Sequence, residues 1–60
     1  MIDARRRFWE ARRARMQALV GYNLTNDPDA QDALWHEAQA AYYRMRVALR
    51  DVYEERRRYA

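Results

Sequence analysis

Three groups of residues in this chain have the types and spacing to do chemistry: His36-Glu37, Glu54-Glu55 and a set of twelve arginines. His36-Glu37 opens a string resembling the HExxH zinc motif. That motif needs a second His four residues on, so that both imidazoles face one metal. Position 40 is Ala, so the second ligand is missing. Asp32 and His36 share a helical face at four-residue spacing, but two ligands fall short of a metal site. They are expected to form a surface ion pair. Glu54 and Glu55 point about 100° apart on a helix, which does not suit paired carboxylates, and Glu54 with Arg58 is an ordinary i,i+4 pair. No Gly-rich phosphate loop, no nucleophile with a base at hand and no Cys is present. The expectation is a chain that is not an enzyme and holds no cofactor or metal.

The arginines carry a different chemistry. Arg5, Arg6, Arg7, Arg12, Arg13 and Arg15 crowd the first third of the chain, interleaved with Phe8 and Trp9, while Arg56, Arg57 and Arg58 stand near its end. An Arg-rich helix can follow phosphates while aromatics stack on bases. Arg5, Arg6, Arg13, Arg57 and Arg58 are therefore the candidate phosphate contacts. Against this, nine carboxylates offset much of the charge, leaving a net +3. Phe8 and Trp9 also fall on the same helical face as Met16 and Leu19, which suits a core.

These residues must be positioned by helices. Gly21 to Asp29 is the only stretch rich in turn signals: Gly21 reads as a C′ glycine, and Asp27-Pro28 as an N-cap followed by proline at N1. One domain over 1–60 is expected, with helix 1 over about 2–20, a loop over 21–27 and helix 2 over about 28–58. Leu34, Ala38, Ala41, Met45, Ala48 and Val52 alternate spacings of four and three, the seam of a coiled coil. Trp35, Tyr42, Leu49 and Tyr53 widen it on one side. On helix 1, Ile2, Phe8, Trp9, Met16, Leu19 and Val20 define one face, with Ala4, Ala11 and Ala18 on an adjacent side. Folding the hairpin brings Trp9 opposite Ala38 and Ala41, and Met16 near Leu34. Arg12 then falls within the apolar face and is expected to take a carboxylate, Glu37 being best placed; the alternative is that it lays its methylenes on Trp9 or Met16 and keeps its head in water. The fold class is all-α, a two-helix antiparallel hairpin.

Sixty residues seal a marginal core, and without Cys the remaining supplement is association. Helix 2 is expected to overshoot helix 1 by about three turns, exposing Val52, Tyr53 and Tyr59. A second strip of Ala40, Tyr43 and Val47 faces away from the seam. Tyr43, Val47, Tyr53 and Tyr59 are the candidate partner interface, since Tyr joins apolar area to a polar end. The expected function is protein–protein interaction or a structural subunit, with the hairpin completed by homodimerisation into a four-helix bundle or by docking on a larger assembly. A small Arg-rich nucleic-acid-binding adaptor is the alternative. Arginines from position 5 interrupt any leader-like apolar run, and no segment reaches the roughly 20 apolar residues of a membrane span, so a cytoplasmic location without membrane partners is expected.

Overall fold

The computed structural model describes the backbone of residues 2–59 and the side chains of residues 3–58. Within them the chain is all-helical: α1 (Ile2–Leu24) and α2 (Pro28–Tyr59) pack as an antiparallel hairpin. The start of α2 follows from its capping residues. Asp27 Oδ1 accepts a hydrogen bond from the Asp29 amide at 3.2 Å, Pro28 fills N1, and the Asp27 carbonyl accepts the first helical bond from Gln31 N at 2.9 Å. Arg56, Arg57 and Arg58 occupy the last turn, where cations complement the helix dipole.

The end of α1 differs from expectation. Gly21 does not cap the helix. Its φ is not positive, and α1 runs on to Leu24. The glycine serves close packing instead: a Cβ built there would lie 3.3 Å from Leu34 Cδ1. Residues 25–27 form the loop. Gln31 ties it down, its side-chain amide donating to the Thr25 carbonyl at 3.0 Å and lying 3.5 Å from that of Tyr22.

The seam is made of alanine. Among the described residues, Ala4, Ala11 and Ala18 from α1 and Ala38, Ala41 and Ala48 from α2 are the buried hydrophobic ones, none more than 5% exposed. Leu34, Met45 and Val52 flank them half-buried. Methyl groups on both sides allow the backbones to approach closely, toward the short end of the ~8–10 Å range for packed helices. This overturns the expected face of α1. Trp9 and Met16 are 58% and 50% exposed and lie about 150° round the helix from the alanine row, so neither belongs to the seam. Close approach of two small-residue rows has won over burial of the larger side chains.

Arg12 turns with that face, and of its two expected courses it takes the one onto Trp9. It is exposed, and its guanidinium sits 5.3 Å from the centre of the Trp9 ring rather than against Glu37. The overhang also shrinks. Tyr22 meets Trp35, Arg15 meets Tyr42 and Arg7 meets Asp51 across the hairpin. Continuing that register pairs the start of α1 with residues near 56, which leaves about one turn of α2 unmatched. Val52 is thus alongside α1, and the side chain of Tyr59 lies outside the described residues.

The hairpin is an elongated body of 48 × 13 × 12 Å with a radius of gyration of 14.2 Å, where a compact 60-residue domain would have roughly 10 Å. Its accessible surface is 5067 Å², against about 4,200 Å² for a compact monomer of 7.4 kDa. Among the described residues no large side chain is fully buried. The fold leaves much of its apolar surface in water.

Candidate functional site: an aromatic groove beside the seam

Two antiparallel helices that meet along one row of small residues leave a groove on each side of that row. One groove is aromatic. Trp35, Tyr42 and Leu49 recur every seven residues on α2 and so form a straight row along it. From α1, Tyr22, Leu19 and Arg15 face Trp35 and Tyr42, and Phe8 lies in the row of Arg15 and Tyr22 by the same spacing, opposite Leu49 in the hairpin's register. At the loop end Tyr22 and Trp35 stand with their ring centres 6.1 Å apart, beside Pro28, Gln31 and Asp32. In the middle Arg15 and Leu19 meet Trp35, Ala38, Gln39 and Tyr42, with the Arg15 guanidinium 5.0 Å above the Tyr42 ring. Toward the open end Leu49 and Tyr53 are surrounded by Arg46, Arg50, Arg56, Arg57 and Glu54. Leu19, Tyr22 and Leu49 are half-buried, while Trp35, Tyr42 and Tyr53 remain 39–54% exposed. A cation resting on an aromatic face is attracted to the ring, an interaction worth about 0.5–1 kcal/mol at an exposed site.

The other groove is more polar. Arg7, Glu10, Ala11 and Ala14 line it from α1, and Tyr43, Arg44 and Val47 from α2. The ion pairs gather toward this side. Arg7 bridges Asp3 at 3.1 Å and, across the hairpin, Asp51 at 3.3 Å; Arg6 lies 3.2 Å from Asp3 and 3.8 Å from Glu10. Asp32 and His36 approach to 3.6 Å, with Nδ1 of His36 also 2.8 Å from the Asp32 carbonyl. Among the described residues, no three His, Asp or Glu side chains come together as metal ligands would.

The sites expected from sequence are therefore partly regrouped. Leu34, Ala38, Ala41, Met45, Ala48 and Val52 do lie together on the face that meets α1, whereas Trp9 and Met16 form an outward strip of α1 with Val20, which is 53% exposed. The candidate partner interface divides. Tyr53 belongs to the aromatic row, while Val47 and Tyr43 line the polar groove, Tyr43 being 71% exposed at its edge. The candidate phosphate contacts are also spread around the molecule. Arg6 is engaged by Asp3 and Glu10, and Arg5, Arg13, Arg57 and Arg58 lie on different sides of their helices rather than on one surface. Missed in the sequence was the way Tyr22, Leu19 and Arg15 would face Trp35 and Tyr42. The signal was present in two matched seven-residue rows.

Charge is segregated along the molecule as well. Every arginine lies in residues 5–15 or 44–58, with Asp3, Glu10, Asp51, Glu54 and Glu55, so the open half carries twelve cations against five carboxylates. The loop half, residues 16–43, carries Asp27, Asp29, Asp32 and Glu37 and no arginine. One end of the 48 Å rod is net +7 and the other net −4.

Among the described residues no helix is long and apolar enough to cross a membrane. No protein-family model matches this sequence, and neither a curated protein nor a solved structure matches it.

Proposed function

We propose that this chain is a non-enzymatic interaction subunit that docks on protein through its aromatic groove. The carrying observation is that Trp35 and Tyr42 face Tyr22, Arg15 and Leu19 across the hairpin, half-covered by it, and that Leu49 and Tyr53 continue the same row on α2. Aromatic residues and Arg around a partly desolvated floor make the composition of a protein-interface centre. A third or fourth helix laid in the groove would complete the core that two helices cannot.

Contact with nucleic acid is the second reading, favoured by Arg5, Arg6 and Arg7 sharing the open end with Arg56, Arg57 and Arg58. It is the weaker one, because the groove floor is apolar and phosphate contacts require the arginines on one surface.

Leu49→Glu places a charge on the groove floor, and Val47→Glu places the same charge in the polar groove. Association of the full chain, measured by light scattering and by co-purification from its host, is expected to fail for Leu49→Glu and to survive Val47→Glu. The opposite ranking overturns the docking face. Tight binding to generic duplex DNA or RNA, falling steeply with salt, would move the function to nucleic acid.

A further inference from the structure

We infer that the occupant of the aromatic groove is a second copy of this chain, lying with its loop end over the first copy's open end. This rests on the docking reading above and adds the partner and its orientation.

Area comes first. The hairpin exposes about 870 Å² more than a compact monomer of its mass. A standard protein interface removes about 800 Å² from each partner. One groove-to-groove contact between two hairpins is therefore of the size needed to bring the surface back to that of a compact protein.

Charge then selects the arrangement. Two hairpins can stack groove to groove about a two-fold axis in two ways: loop ends together, or loop ends apart. With loop ends together, a net +7 half lies on another net +7 half. With loop ends apart, each +7 half lies on a −4 half. Like-charge juxtaposition suppresses the first and complementarity favours the second. Arg12 and Arg15 fall near the middle of either arrangement, and both are drawn onto rings, those of Trp9 and Tyr42.

The side chains follow the same symmetry. The midpoint of α2 falls between Tyr43 and Arg44. Asp32, at the loop end of the groove, and Arg56, at its open end, stand about twelve residues either side of it. Trp35 and Tyr53 stand about nine residues either side. Reversing one copy on the other brings Asp32 to Arg56 and Trp35 to Tyr53, each contact made twice. In the polar groove Arg7 is already shared between Asp3 and Asp51 at 3.1 and 3.3 Å, whereas among the described residues Asp32 meets only His36, at 3.6 Å.

The test uses the full chain carrying Asn26→Cys in the loop, the only cysteine, with a nitroxide attached. Light scattering at high micromolar concentration is expected to give a dimer, and the spin–spin distance to approach the 48 Å length of the rod. Asp32→Arg or Arg56→Asp alone is expected to weaken the dimer about tenfold at low salt, and the two together to restore it. Circular dichroism checks that each variant stays helical. A dimer whose two labels lie within about 20 Å, less than half that length, overturns the orientation and leaves the docking face standing. A helical monomer at every concentration overturns the second copy as occupant. The docking face then stands or falls on whether Leu49→Glu removes a partner of another kind.

Discussion

Enlarging Ala41 tests the feature on which the fold depends. Ala41 is 0% exposed and lies in a seam whose buried members are all alanine. Ala41→Leu adds three carbons where, among the described residues, no large side chain is fully buried to move aside. The helices must separate locally, and Ala11 and Ala18 across the seam lose contact as well. Overpacking costs about 1–3 kcal/mol, and the upper half of that range is expected here because both walls are backbone-close. A 60-residue chain has roughly 3–9 kcal/mol to lose. At about 4–8 °C per kcal/mol for a domain this small, the melting temperature should fall by roughly 10–20 °C. Ala40→Leu is the control, since Ala40 is exposed on the same helix. Thermal melts followed by circular dichroism at one fixed chain concentration give the comparison. An Ala41→Leu variant melting at or above the parent, with Ala40→Leu unchanged, would refute a close alanine seam.

Two other substitutions probe the ends of the helices. Gly21→Ala should raise stability by about 0.5 kcal/mol, since glycine costs close to 1 kcal/mol inside a helix and the 3.3 Å contact is with the movable end of half-buried Leu34; a lower melting temperature would show Leu34 to be locked. Asp27→Ala should cost about 1 kcal/mol by removing the acceptor of the Asp29 amide, and Asp27→Asn should recover most of it in the same melt.

The sequence reads most clearly where one residue type has one structural use. Asp27-Pro28 can hardly be other than a helix start, and the alternation from Leu34 to Val52 marks one face of α2 without competition. On α1 several faces compete. Phe8, Trp9, Met16, Leu19 and Val20 outweigh three alanines by hydrophobicity, yet alanines on both helices permit a closer approach than Trp9 against Ala38 would. Pairwise fit between helices decides this, and neither helix reveals it alone. Gly21 misled for a related reason: its missing side chain serves Leu34 on the other helix, not a left-handed turn. The groove shared that fate, since Tyr22 and Trp35 belong together only once the loop has shrunk to three residues. The confinement of every arginine outside residues 16–43 was open to simple counting.

The alanine seam has a mechanical consequence. Methyl rows are low ridges, so sliding one helix along the other meets little steric resistance compared with interlocked leucines. Adhesion and alignment are thus assigned to different groups. The methyls hold the helices together, while Gln31 on the Thr25 carbonyl fixes the axial position at one end and Arg7 on Asp51 at the other. Axial slippage is thus opposed less by the seam than by the three-residue loop and those two polar contacts.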